Sequence, residues 1–148
     1  MKKYEFTGET KQVELLFRTA TLHRIKAVAE FGIVKVGDIG GWIEKEENLS
    51  HEGNAWVYGD AKVYGDAKVF SISHVLVIGP IGSRNDFTTF FRDKDSEITV
   101  KCGCFLGKID KFLEKVCETH GDSQYAIVYR TAVEIAKQQI DLSEEKQL

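Results

Sequence analysis

Apolar residues return every six positions through the middle of the chain. Val57, Val63, Val69, Val75, Ile81 and Phe87 stand six apart, and the small residues Ala61, Ala67, Ser73 and Gly79 sit two positions ahead of successive members. Two hexads, beginning at Val57 and Val63, are identical: Val-Tyr-Gly-Asp-Ala-Lys. A fixed period repeated this often predicts a solenoid, in which each repeat buries its apolar face on its neighbours. Counted backwards, the frame opens near Leu49, with His51 in the aliphatic slot and Ala55 in the small one. From His51 to Phe87 this makes about two triangular coils of a left-handed β-helix. So short a stack leaves its ends open. The expected cover is the N-terminal strands, the C-terminal helices or another protomer.

The flanks carry other periods. Tyr4 and Phe6 alternate with charged residues, Thr7 to Thr10 interrupts them, and Val13 to Phe17 resumes the run. Leu22 to Val28 alternates apolar with basic residues, predicting a half-buried strand with His23, Ile25 and Ala27 inward and Arg24 and Lys26 outward. Gly40-Gly41 predicts a sharp turn into the first coil, with Trp42 plugging the solenoid's open end. No phosphate-loop signature accompanies that glycine pair. After the repeat, Phe87 to Arg92 and Glu97 to Cys102 predict a hairpin around the turn Asp93 to Ser96. Ile109, Phe112, Leu113, Val116 and Cys117 form the stripe of a helix over residues 108–119, which Gly121 stops. Asp122 or Ser123 caps a second helix running to about Ile140. The charged tail from Asp141 to Leu148 is expected to fray.

The fold class expected is therefore mainly β. A short left-handed β-helix follows N-terminal β-strands and precedes a β-hairpin and a C-terminal α-helical hairpin. The segments are 1–48, 49–87 and 88–148, forming one compact unit.

Composition narrows the function classes. The 148 residues are 43% hydrophobic and 29% charged, which is globular composition, and a net charge of −3 argues against a general nucleic-acid or membrane surface. No apolar run is long enough to span a bilayer, and the N-terminus lacks the apolar core of a signal peptide. Three cysteines fit a reduced compartment better than a disulfide framework, so the expected location is the cytoplasm.

The runs Ile39-Gly40-Gly41-Trp42-Ile43 and Leu49-Ser50-His51-Glu52-Gly53-Asn54-Ala55-Trp56-Val57-Tyr58-Gly59-Asp60-Ala61 resemble those of uncharacterised bacterial and prophage hexapeptide-repeat proteins often grouped with acyltransferases. The resemblance covers about Leu22 to Val69. The segment from Ile81 to His120, with Arg84-Asn85-Asp86 and Cys102-Gly103-Cys104-Phe105, is similar to a module that follows such repeats in small phage proteins. The resemblance implies a β-solenoid, commonly a trimer, in the cytoplasm of a bacterial or phage-infected cell, and supplies no catalytic residue. Acyltransferases of this class build a coenzyme A groove from many coils and take a catalytic His from an inserted loop. This chain has neither.

Two constellations remain. Cys102, Cys104, Cys117 and His120 offer four zinc ligands, but Cys-x-Cys on a strand sends the two thiols to opposite faces and Cys117 lies on an apolar helix stripe, so no metal is expected. Arg84, Asn85, Asp86, Arg92 and Lys94 cluster around the end of the repeat. Arg84 and Asp86 can pair with each other, or the group can form an anion pocket with aromatic stacking partners. The candidate ligand-binding residues are Arg84, Asn85, Arg92, Phe90, Tyr58 and Arg24, with no cofactor and no catalytic residue. The function expected is a non-enzymatic homo-oligomer, a trimer or larger, that binds a small anionic nucleotide. Its concrete form is a phage sponge that sequesters a nucleotide signal of host immunity. A protein-interaction module and a hexapeptide-repeat acyltransferase are the alternatives.

Overall fold

The structure is a computed structural model describing residues 2–143; the last five residues of the charged tail lie outside the described residues. Eight strands form two sheets of four. The first contains β1 (Tyr4–Glu14), β2 (Thr19–Ala27), β3 (Ile39–Ile43) and the two-residue β4 (Lys62–Val63), in that order. The second contains β5 (Val75–Ile81), β6 (Asp86–Arg92), β7 (Ile98–Cys102) and β8 (Phe105–Lys108), also in chain order. Two helices, α1 (Ile109–His120) and α2 (Gln124–Gln139), complete the chain.

The left-handed β-helix is not formed. Every neighbouring strand pair is antiparallel except β3 with β4. Within the hexads, β4 is the only strand before β5, and the parallel contact between Leu49 and Val69 is a single isolated bridge. The six-residue period is real at the start: Ala55, Val57, Ala61, Val63, Ala67 and Val69 are all buried. From Val75 the beat no longer marks one buried face. A regular strand would put Val75 and Ile81 on the same side, but the register slips between Ile78 and Ile81, and Val75 packs on the first core while Ile81 packs on the second. Val75, Ile81 and Phe87 keep the beat as members of an antiparallel hairpin, not of a coil.

The N-terminal turn also differs from expectation. Thr7 to Thr10 does not break the strand; it is a register shift inside β1, with Gly8 at φ +98°. The reversal comes at Leu15 to Arg18, closed by a 2.8 Å hydrogen bond from Leu15 N to Arg18 O. Trp42 plugs no coil end. It lies within the first sheet beneath two cations, the Lys11 ammonium 4.6 Å and the Arg24 guanidinium 4.9 Å from its ring.

The second sheet is the wall between two cores. Along β5, Val75 and Val77 pack on the first core while Leu76 and Ile78 pack on the second. Along β6, Phe91 joins the first and Phe90 the second. The first core holds the hexad aliphatics with Tyr4, Leu22, Ile25, Trp42 and Trp56. In the second, α1 and α2 lay Phe112, Val116, Ala126, Tyr129 and Val133 over Phe90 and Val100. Helix α1 ends as expected at Gly121, whose N–H bonds to Cys117 O at 2.9 Å with φ +57°. Among the described residues, no helix is long and apolar enough to cross a membrane.

Candidate functional site

A cleft of about 200 Å³ opens where the β5–β6 turn, the β7–β8 turn and the two helices meet. Strand alternation and helix periodicity supply its lining. Cys102 and Phe105 flank the β7–β8 turn, which reverses through Gly103 at φ +60°. Phe112, Lys115 and His120 come from α1, and Tyr129 from α2. Arg84 and Asp86 reach the rim from the β5–β6 turn.

The walls are aromatic. Phe105 and Phe112 have ring centroids 5.5 Å apart, Tyr129 meets Phe112 edge-on at 5.7 Å, and His120 stacks on Tyr129 at 5.7 Å. Tyr129 is only 8% exposed, and a side chain at Gly82 would collide with its hydroxyl. Burial, then the adjacent Cys102 sulfur, pushes that hydroxyl above the ordinary tyrosine range, so it remains protonated and can donate. Arg84 and Lys115 are exposed at the rim, opposite a single lining carboxylate, Asp86. The cleft thus joins an apolar, ring-lined floor to a cationic lip.

The size limits what enters. An engineered cavity of about 150 Å³ accepts benzene. A cleft of about 200 Å³ holds one ring with a few further atoms. A coenzyme A-sized molecule would lie mostly outside it.

The six candidate residues from the sequence do not converge. Arg84 lines the cleft, and Asn85 sits beside it in the turn at φ +50°, its N–H donating to Gly82 O at 3.2 Å. Phe90 is fully buried in the second core. Arg92 lies at the far end of β6, roughly 20 Å from Asn85 at strand rise. It is 5% exposed and holds the C-terminal chain. Its Nη1 donates at 3.0 Å to the carbonyls of Asp141 and Ser143, Nη2 donates at 2.9 Å to Ser96 Oγ, and Phe70 covers its face at 5.3 Å. Arg24 and Tyr58 belong to the first sheet and the hexads; Tyr58 is 44% exposed.

Of the four zinc candidates, Cys102, Cys104 and His120 line the cleft, whereas Cys117 is exposed and does not. Among the described residues no three of His, Cys, Asp and Glu come together closely enough to hold a metal ion. The sequence reading missed Phe105, Phe112, Lys115 and Tyr129 as lining residues. Phe112 and Tyr129 were visible only as core stripes, and a stripe cannot show that one end of the core is open. The motif Cys102-Gly103-Cys104-Phe105 was the available signal, because a tight turn beside an aromatic residue places that ring at a sheet edge.

No family model matches the chain. It is 36% identical over 62 residues to YdcK, an uncharacterised acetyltransferase of Escherichia coli strain K12. That stretch is 39% of this chain and 19% of the E. coli protein. The chain therefore spans about a fifth of the length of the relative it matches.

Proposed function

We propose that the protein binds a small anionic molecule bearing a planar ring, the nucleotide class, without transforming it. The observation that carries this reading is the cleft's division into a ring-lined floor and an Arg84–Lys115 lip. Base-on-ring stacking contributes roughly 1–3 kcal/mol per base and tolerates different bases. An arginine fork meets phosphate oxygens bidentately. Arg84 and Asp86 make no ion pair among the described residues, which leaves the guanidinium available to a ligand.

The test is isothermal titration with adenosine monophosphate, a cyclic dinucleotide and ADP-ribose. Binding of at least one is expected, with Arg84→Ala weakening it about tenfold. No heat with any of the three would end the reading. Mass spectrometry of purified protein separates the biological versions. An intact cyclic or ADP-ribose nucleotide recovered from it would support the phage-sponge role expected from the sequence. A processed product would replace sequestration with catalysis.

The second reading, an acetyltransferase, rests on the similarity to the E. coli protein. Acetyl-coenzyme A binding with release of free coenzyme A on adding an amine acceptor would favour it. The small cleft weighs against it, since most of the donor would be unenclosed.

A further inference from the structure

Four basic side chains away from the cleft gather where the two sheets meet. Arg24 on β2 pairs with Trp42 on β3, which pairs with Lys62 on β4, so the three form one cross-strand row. Lys11 on β1 joins them over the same indole ring as Arg24. The Lys62 N–H donates to Thr89 Oγ1 at 3.1 Å, and Thr89 is the register partner of Lys101 on β7, which brings a fourth cation alongside.

None of the four makes an ion pair among the described residues, whereas Arg18, Lys26 and Lys108 all do. Asp60 and Asp86 act on Lys62, and Asp86 on Lys101, only from beyond ion-pair distance. Arg24 donates Nε–H to Gly40 O at 3.0 Å and leaves its terminal nitrogens without an acceptor. Lys101 is 6% exposed and its ammonium makes no hydrogen bond; the Tyr64 ring lies 6.0 Å from it. Tyr64 is itself 1% exposed, with a buried hydroxyl that has no partner. Covering Trp42 accounts for Lys11 and Arg24. It does not account for Lys62 and Lys101. Burial holds both below the ordinary lysine range, helped by Lys11 at Lys62 and by Lys62 at Lys101. Unpaired, partly buried ammonium groups are unfavourable, and an arriving anion would relieve them.

We propose that Lys11, Arg24, Lys62 and Lys101 form a binding site for a phosphate group. Phosphate suits the row better than a carboxylate because it carries more charge and more acceptor oxygens, enough for a guanidinium fork and several ammonium donors together. The site is separate from the cleft: Cys102 packs with the helices, so Lys101, the next residue on β7, points to the first sheet.

Titration of the whole chain with pyrophosphate, at an ionic strength held constant with sodium chloride, tests the site. Lys62→Gln and Arg24→Gln should each weaken binding about tenfold, while Lys137→Gln, an exposed cation on α2 outside both sites, leaves it unchanged. Lys11 is exposed, so Lys11→Gln retains the fold and should also weaken binding. Unchanged affinity in both Lys11→Gln and Lys62→Gln overturns the site. So does thermal stabilisation equal to that from chloride alone, or binding of a mixed-sequence oligonucleotide tighter than that of pyrophosphate.

Discussion

The two cores satisfy their backbones in different ways. Around the first, much of the hexad chain runs outside any ladder, so buried side chains take over the hydrogen bonding. Lys3 Nζ donates to the carbonyls of Ala55 at 2.7 Å, Gly53 at 3.3 Å and Glu52 at 3.4 Å. The Tyr4 hydroxyl donates to Leu49 O at 2.6 Å. Asn48, wholly buried, accepts from the N–H groups of Glu44 and Lys45 and donates to Gly65 O and Ala67 O. Around the second core, ladders and helices pair the backbone, and the buried side chains with the most hydrogen bonds, Asp93 and Arg92, sit at a turn and against the chain end. Asp93 accepts from Asp95 N, Glu97 N, Thr99 Oγ1 and Lys108 Nζ, at 2.6 to 3.1 Å. Regular structure therefore leaves the cleft's side chains free to meet a ligand. Irregular structure consumes polar groups internally.

The largest effects should come from breaking each core by its own device. Asn48→Leu removes the partners of two N–H groups and two carbonyls, of which the bond to Ala67 O is fully buried and the others part-buried, so a loss of about 2–4 kcal/mol is expected. Phe112→Ala should cost about 3–5 kcal/mol through the cavity it leaves. Only Phe112→Ala, by removing a cleft wall, should also abolish ligand binding. Urea denaturation and titration measure both; equal loss of binding in Asn48→Leu would show that the regions are not separable.

Next come two pH effects, at opposite ends of the range. His74 is 2% exposed; its Nδ1 accepts from Phe70 N at 3.2 Å and its Nε2 faces Arg92 Nη1 at 3.3 Å. A second ring proton would leave two donors facing donors. Burial, then Arg92, lowers its pKa from 6.5 to about 4. Between those values the unfolded chain binds the proton that the folded chain refuses. Stability is thus full above 6.5 and falls by about 2–3 kcal/mol as pH drops toward 4. Lys3 works at the alkaline end: burial lowers it from 10.5 to about 8. There the folded chain releases its proton first, so stability rises between about 8 and 10.5, by roughly 2 kcal/mol once its three carbonyl acceptors are counted against the burial. Denaturation curves across pH should flatten at the acid end in His74→Asn and at the alkaline end in Lys3→Met. A slope kept in either variant assigns it elsewhere.

The same contrast explains what could be read in advance. The second core was largely legible, because the α1 stripe, its glycine stop, the β6–β7 hairpin and the turn at Asp93 are all local signals. The first was not. Its six-residue period fits a coil, and nothing in that beat announces that from Val75 the chain becomes an antiparallel hairpin whose register with β6 slips between Ile78 and Ile81. Site residues fail for a related reason. Arg92 reads as a free cation, yet its partners are backbone carbonyls of Asp141 and Ser143, 49 and 51 residues away, which side-chain chemistry does not announce. Arg84, in a turn, is exposed at the cleft lip. Lys62 belonged to a visible repeat column, but its meeting with Lys101 depends on how the two sheets join.

The smallest effect should come from an ion pair on the rim of the first region. Arg18 Nη1 and Nη2 hold Glu44 in a two-point contact of 2.6 and 2.9 Å, and Glu44 also accepts from Gly65 N at 2.7 Å. The hydrogen bond from Arg18 leads the effects that keep the Glu44 carboxyl below its ordinary range. Arg18 is exposed, and exposed pairs contribute about 0.2–1 kcal/mol. Arg18→Ala should therefore cost no more than about 1 kcal/mol, with the difference shrinking in high salt. Glu44→Ala should cost more, because it also strips the Gly65 N–H of its acceptor at the turn beside Tyr64. Equal losses from the two variants would mean that the Gly65 bond contributes nothing. The rule that irregular chain here depends on side-chain acceptors would then fail at the site where it is easiest to measure.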